Sequence, residues 1–129
     1  MQTFQEMDAR AWAIRQRYAA LEAARYGRPW TAEEVALGFV GDVGDLMKLV
    51  QAAEGVRAIP DAKAKLEHEL ADCLWSVMVL ARLYDVDLAA AFAGTMDELE
   101  QRLAGQQAKR QGGLGGPVIR ASDSSAELP

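Results

Sequence analysis

Apolar residues recur every three to four positions through four stretches of the chain, a spacing typical of amphipathic α-helices. The predicted helices cover residues 3–25, 32–53, 60–84 and 88–107. Gly27 and Pro29 end the first helix, because neither residue continues a helix well. Thr31 precedes the second helix, and Glu34 three residues later completes a capping-box pattern. Asp87 is a predicted N-cap for the fourth helix. No alternating stretch is long enough for a sheet, so the pattern predicts an all-α protein.

Helical projection also predicts which residues form the apolar face of a helix, since successive residues turn by about 100°. The apolar residues at this spacing on the first helix are Phe4, Met7, Ala11, Ile14, Tyr18 and Leu21. The apolar arc of the second helix consists of Val35, Phe39, Leu46, Leu49 and Val50. The main apolar face of the third helix consists of Leu66, Leu70, Cys73, Val77, Leu80, Ala81 and Tyr84. Gly38, Gly41 and Gly44 repeat every three residues on the second helix. Glycine weakens a helix interior, so these three predict that another helix or a ligand approaches the backbone closely.

The composition changes near residue 109. The last twenty residues, RQGGLGGPVIRASDSSAELP, are rich in Gly, Ser and Pro and have no helical period. We therefore expect a helical domain over residues 1–108 and a C-terminal tail of low intrinsic order over residues 109–129.

Size and charge narrow the class of protein. The 129 residues suit one domain, and a formal net charge of -5 argues against binding to a nucleic-acid polymer, which needs clustered Lys and Arg. The single cysteine, Cys73, excludes an intrachain disulfide. The longest apolar run, residues 70–84, is shorter than the roughly 20 residues of a membrane span. Asp72 and Arg82 within this run also argue against a membrane span. We expect a soluble, cytoplasmic protein without a signal peptide.

Two acidic pairs interrupt the apolar pattern. Asp42 and Asp45 lie in GFVGDVGDLMKLV, and Glu69 and Asp72 lie in LEHELADCLWSVMVL. Each pair is spaced by three residues, about one helical turn. Projection places Asp42 inside the apolar arc, Asp45 at its edge, and the other two acids among apolar neighbours. Burying an acid without a partner is costly, so these acids need a partner.

Two kinds of partner are open on this pattern. Cationic side chains such as Lys48, Arg15 or Arg17 could neutralise the acids in a helix interface. Alternatively, four carboxylates that would otherwise repel one another could share a divalent cation. Oxygen ligands favour Mg²⁺, Mn²⁺ or Ca²⁺ over zinc, and Mg²⁺ is often bound by a few carboxylates together with substrate phosphates. The second interpretation therefore predicts phosphoryl or pyrophosphoryl chemistry.

At these residues the chain resembles the MazG-like, all-α nucleoside triphosphate pyrophosphohydrolases. GDVGDL is similar to the EEVGEL of that family, HELADCLW is similar to EELADVLW, and YDVDLAAAF resembles the short break before the final helix. The resemblance covers about residues 28–104. It implies a four-helix MazG-like domain whose helices pack in an oligomeric bundle, as a homodimer or homotetramer with sites near subunit contacts.

The resemblance also implies the reaction. Mg²⁺, with Mn²⁺ as a substitute, would be held by Asp42, Asp45, Glu69 and Asp72, which would be both metal ligands and catalytic residues. The ion would activate water to cleave a nucleoside triphosphate between its α and β phosphates, giving a monophosphate and pyrophosphate. A house-cleaning role on dUTP, dCTP or altered nucleotides would follow. The alternative is a catalytically weak module that senses nucleotides or drives assembly.

Three further residues are candidate substrate contacts. Trp30 would stack on a base or cap the core, and Lys48 would reach a phosphate or pair with Asp45. Family members often carry a phosphate-binding Lys in the last helix. The nearest position here is Thr95, with Arg102 a turn or two later. The only histidine, His68, precedes Asp72 by four residues and would pair with it, face solvent or bind metal.

Overall fold

The helical prediction is confirmed by a computed structural model, which describes residues 1–112. Its helices are α1 (Phe4–Tyr26), α2 (Ala32–Ala53), α3 (Ala62–Leu83) and α4 (Leu88–Gly112), with no strand among these residues. Both ends of α1 and the end of α3 differ from the prediction by one residue. Two further differences are the start of α3 and the end of α4. Helix α3 begins at Ala62 rather than at Pro60 or Asp61, and α4 continues five residues beyond Gln107. Residues 113–129, most of the predicted tail, lie outside the described part.

Side-chain caps fix where the helices begin. The side chains of Thr3 and Thr31 each accept a hydrogen bond from the backbone N–H three residues on. The side chains of Glu6 and Glu34 accept hydrogen bonds from the backbone N–H groups of Thr3 and Thr31, which completes two capping boxes. Asp87 accepts a bond of 3.0 Å from the backbone N–H of Ala90, which confirms its predicted role. These bonds satisfy N–H groups that a helix leaves without internal partners.

Helix α3 packs against both α2 and α1. The indole N–H of Trp75 donates to the backbone oxygen of Ala11 over 3.0 Å and so joins α3 to α1. Arg82 forms an ion pair of 2.8 Å with Asp8, and its guanidinium lies 5.7 Å from the ring centre of Trp12. The buried apolar residues of this packing are Ala11, Val35, Leu49, Met78 and Val79.

The apolar face predicted on α1 is buried only in part. The buried residues there are Ala11, Arg15 and Glu22, whereas Ile14, Tyr18 and Leu21 of the predicted face are exposed. The buried stripe is turned by about 50° from the centre of the apolar face, and Ala11 belongs to both. The ion pair that Arg15 and Glu22 form compensates for their burial.

The predicted face was also wrong in part on α3, where the buried residues are Ser76, Met78 and Val79, while Leu70 and Tyr84 are exposed. On α2, Val35 and Leu49 are buried as predicted, but Val50 is exposed. These helices carry more apolar surface than their packing within one chain covers. A Cβ at Gly41 or Gly44 would meet nothing within 4 Å, so the close approach predicted there does not occur within the described chain.

The chain divides into two compact units, one ending at Ala91 and the other beginning at Phe92. The first unit contains α1, α2, α3 and the first turn of α4, and therefore both acidic pairs. The second contains the rest of α4, including Thr95 and Arg102. No helix within the described residues has the length and apolar character that a membrane crossing requires.

Candidate functional site

The packing of α2 against α3 brings the two acidic pairs together. Carboxylate oxygens of Asp42, Asp45 and Glu69 lie within 4.8 Å of one another. Side-chain atoms of Glu69, Asp72 and His68 meet the same limit. Because Glu69 belongs to both groups, the four acids form one acid cluster, defined here as Asp42, Asp45, Glu69 and Asp72.

The acid cluster lacks enough positive charge to balance it. Oε2 of Glu69 is sealed from solvent and accepts no hydrogen bond, the sole side-chain atom in that condition among the described residues. Burial raises the pKa of Glu69, and the carboxylate of Asp72 raises it further. Burial also raises the pKa of Asp42, with smaller contributions from Asp72 and Asp45. A sealed, unpartnered oxygen among mutually repelling acids is an unfavourable arrangement unless a cation joins them.

Cationic side chains do not supply that balance. Lys48 Nζ lies 3.7 Å from Asp45 Oδ1, but both side chains are more than half exposed, where ion pairs contribute little. His68 Nε2 lies 3.1 Å from Asp72 Oδ2, which is the predicted pairing. Arg15, which was considered as a partner for the acids, binds Glu22 instead. No arginine forms an ion pair with the acid cluster within residues 1–112.

The donor set of the acid cluster fits a hard divalent cation. All four groups offer carboxylate oxygens, and they come from two helices that fix their spacing. The free oxygen of Glu69 gives such an ion a ligand that has no competing hydrogen bond. Zinc is disfavoured, because the cluster contains no thiolate and a single adjoining imidazole.

Two cavities adjoin the acid cluster. The first, which we call the aromatic cavity, has a volume of about 610 Å³ and is lined by Asp42 and Asp72 together with Tyr18, Trp30 and Trp75. That volume lies within the range of small-molecule sites, about 300–1,000 Å³. Trp75 is held by its bond to α1 and by an edge-to-face contact with Tyr18 whose ring centres are 6.0 Å apart. The cavity therefore offers flat apolar surfaces beside two acids.

The second, which we call the basic cavity, has a volume of about 360 Å³. Asp45 and Glu69 line it together with Lys48, Lys65 and His68. Members of the acid cluster thus line both cavities, one with aromatic walls and the other with cationic side chains. This arrangement suits an elongated ligand with an apolar ring at one end and negative charge at the other.

Trp30 is 45% exposed and does not cap the core. Its ring lies 3.7 Å from the position that a Cβ of Gly38 would occupy, an ordinary contact that places the ring against the first glycine of α2. Its backbone N–H donates to Glu22 Oε1 over 2.8 Å. The loop before α2 is therefore anchored to α1, and the Trp30 ring forms part of the wall of the aromatic cavity.

One feature of this region was missed in the sequence. Arg15 and Glu22 form a two-fold hydrogen-bonded pair in which Nη1 lies 2.9 Å from Oε2 and Nη2 lies 2.7 Å from Oε1. Both residues are more than nine-tenths buried and line the aromatic cavity. Their spacing of seven residues, two helical turns, was the available signal.

Comparison with known proteins identifies the domain. The family model described as the MazG nucleotide pyrophosphohydrolase domain matches residues 28–104. The chain belongs to the MazG family. No significant match was found among curated proteins or among solved structures. The matched MazG region contains both acidic pairs, so the resemblance of their motifs is confirmed at the level of the family.

The MazG match begins after α1. The Arg15–Glu22 pair and Tyr18 therefore lie outside the matched region, although they line the same cavity as Asp42 and Asp72 of the MazG motifs. At the other end, Arg102 lies within the match but in the second compact unit. Its role as a substrate contact stays a prediction.

Proposed function

We propose that this MazG domain is a Mg²⁺-dependent nucleoside triphosphate pyrophosphohydrolase. It would cleave between the α and β phosphates to give a nucleoside monophosphate and pyrophosphate. The observation that carries the proposal is the acid cluster at the α2–α3 contact, in which Glu69 has a sealed oxygen without a hydrogen bond. The MazG match supports nucleotide pyrophosphohydrolysis as the class of reaction.

Asp42, Asp45, Glu69 and Asp72 would hold the ion, with Mn²⁺ able to replace Mg²⁺. A bound divalent ion neutralises phosphate charge and lowers the pKa of a coordinated water, which provides a nucleophile at neutral pH. The protein contributes the fixed spacing of the carboxylates and the partial burial of Asp42 and Glu69. Because the two residues of the first pair are aspartates, that pair reaches one methylene less far than glutamates would.

The two cavities support one direction of substrate binding. The nucleoside would occupy the aromatic cavity, where Trp30 offers a ring for stacking beside Asp42. The phosphates would lie along the acid cluster and extend towards the basic cavity, where Lys48 would stabilise the departing pyrophosphate. The substrates would include dCTP and altered nucleotides, whose removal would be a house-cleaning function in the cytoplasm.

Exposed apolar residues support a homodimer or homotetramer. Leu37, Val40 and Met47 on α2 are 64%, 67% and 52% exposed, and Leu70 and Leu74 on α3 are 51% and 45% exposed. Large apolar side chains grouped on helix faces commonly mark contacts between subunits. Analytical ultracentrifugation of the full chain would test this assembly, and a monomer at micromolar concentration would contradict it.

The activity is tested by incubating the protein with Mg²⁺ or Mn²⁺ and a panel of canonical and modified nucleoside triphosphates, with detection of pyrophosphate. Turnover should be lost in Glu69→Gln and Asp72→Asn, and kept in Glu67→Gln, whose side chain is 68% exposed on the same helix. A panel without any turnover, in a protein that still binds metal, would refute the enzyme. It would favour the weak nucleotide-sensing module, which the altered first pair and the absent family Lys also favour.

A further inference from the structure

The buried Arg15–Glu22 pair has an unusual place, because it forms part of a cavity wall rather than a sealed core. Both residues line the aromatic cavity, together with the rings of Trp30 and Trp75. The same Glu22 oxygen that receives Arg15 Nη2 also receives the backbone N–H of Trp30. A single carboxylate therefore fixes both a guanidinium and a stacking residue at the same cavity.

The guanidinium of Arg15 keeps donors that its partner does not use. An arginine carries five N–H donors, and the bonds to Glu22 use one on Nη1 and one on Nη2. Arg15 makes no other hydrogen bond within residues 1–112. The edge formed by Nε–H and the neighbouring Nη–H is therefore not used by Glu22, and the aromatic cavity is the space that Arg15 borders.

The charge of the pair indicates what this edge would bind. Glu22 neutralises Arg15, and its own pKa is lowered chiefly by the hydrogen bonds from Arg15, so the pair carries no net charge. A neutral pair attracts a phosphate weakly, but it still offers two parallel N–H donors. Their complement is a pair of adjacent acceptors in a flat ring. Guanine offers O6 and N7, and cytosine offers O2 and N3, whereas adenine and uracil alternate donors with acceptors.

We propose that Arg15, held in place by Glu22, reads the base in the aromatic cavity and selects guanine or cytosine. The identity of the ligand as a nucleotide rests on the proposed function. Arg25 also lines the cavity, but it is exposed and no hydrogen bond orients it among the described residues. Arg15 alone combines burial, a fixed orientation and free donors. The residue determines specificity and takes no part in the chemical step.

The test uses the fluorescence of the tryptophans in the full-length protein, titrated with dGMP, dCMP, dAMP and dUMP. We expect one of dGMP and dCMP to bind about tenfold more tightly than dAMP and dUMP, in line with other two-fold arginine–base contacts. Arg15→Lys keeps the ion pair with Glu22 but loses the flat edge, and it should remove this preference while leaving dAMP binding nearly unchanged. Arg17→Lys, two residues away and exposed, is the matched control and should keep the preference.

A second binding experiment changes the nucleotide and leaves the protein unaltered. The 7-deaza analogue of dGMP and the 3-deaza analogue of dCMP each lack one of the two acceptors, so the preferred nucleotide should lose about tenfold in affinity. Equal binding of all four bases, a preference for dAMP or dUMP, or a uniform loss of binding in Arg15→Lys would each overturn the proposal. Turnover without a base preference would leave the proposed function standing and refute this inference. Base-selective binding without turnover would refute the proposed function and support this inference.

Discussion

Substitution of Glu69 by Gln tests the metal site directly, because a metal ligand and a structural acid predict opposite signs. Two unit charges at 4.8 Å, the limit within which the ligand atoms of each group lie, repel by about 3.5 kcal/mol at an effective dielectric constant of about 20. The raised pKa of Glu69 and nearby solvent reduce that penalty, so removing the charge should stabilise the metal-free protein by about 1–2 kcal/mol. For a chain of this size the melting temperature should rise by about 4–8 °C.

Adding Mg²⁺ should make the wild-type protein more stable than Glu69→Gln, which reverses their order of stability without metal. An ion at one hundred times its Kd stabilises the folded state by about 2.7 kcal/mol, or about 10 °C. The wild-type protein should show this increase, and Glu69→Gln should lose most of it. The assay is a series of thermal melts by circular dichroism in a chelator and in increasing Mg²⁺.

Glu67→Gln is the control, because Glu67 is exposed and its carboxylate lies 3.9 Å from Lys63 Nζ in a surface ion pair. It should change stability by less than about 0.5 kcal/mol. A less stable metal-free Glu69→Gln protein, or one with the full response to Mg²⁺, would refute the reasoning.

Three further predictions concern pH, the α1–α3 contact and the basic cavity. Because burial raises the pKa of Asp42 and Glu69, the folded metal-free protein takes up protons before the unfolded chain does. Their contribution to the free energy of unfolding should therefore rise as the pH falls from neutral towards about 4.5. Glu69→Gln should flatten this rise in thermal melts with a chelator, and an unchanged dependence of stability on pH in that variant would contradict the prediction. Trp75→Phe removes the bond to Ala11 and should cost about 1 kcal/mol in urea unfolding, whereas a cost near zero would show that the bond contributes nothing. Lys48→Ala should raise KM for triphosphates several-fold with little change in melting temperature, since its pair with Asp45 is exposed; an unchanged KM would remove Lys48 from the substrate site.

The sequence predicted the helices well because their signals are local. Thr31 and Glu34 form the capping box at the predicted residue, and α2 begins and ends as predicted. The acidic pairs were also predictable, since acids inside an apolar period require a partner and their motif resembles that of a known family. Their mutual approach depends on how α2 packs against α3, which the spacing within each helix does not determine.

The buried faces were less predictable, because they depend on which neighbours a helix has. Helix α1 carries apolar residues such as Tyr18 and Leu21 on one side, yet its buried stripe contains Arg15 and Glu22. A charged pair becomes buried only when its two members bind each other, and single-residue hydropathy does not represent that interaction. For the same reason the sequence did not predict that Arg15 and Glu22 line the aromatic cavity. Both residues lie outside the region that the MazG model matches.

The central claim is that the acid cluster holds a divalent ion for cleavage between the α and β phosphates. Its most direct test is anion-exchange separation of the products formed from a nucleoside triphosphate with Mg²⁺, for the wild-type protein and for Asp72→Asn. The account predicts equal amounts of nucleoside monophosphate and pyrophosphate from the wild-type protein, and neither from the variant. Nucleoside diphosphate with inorganic phosphate as the products, or an undiminished yield from Asp72→Asn, would contradict it.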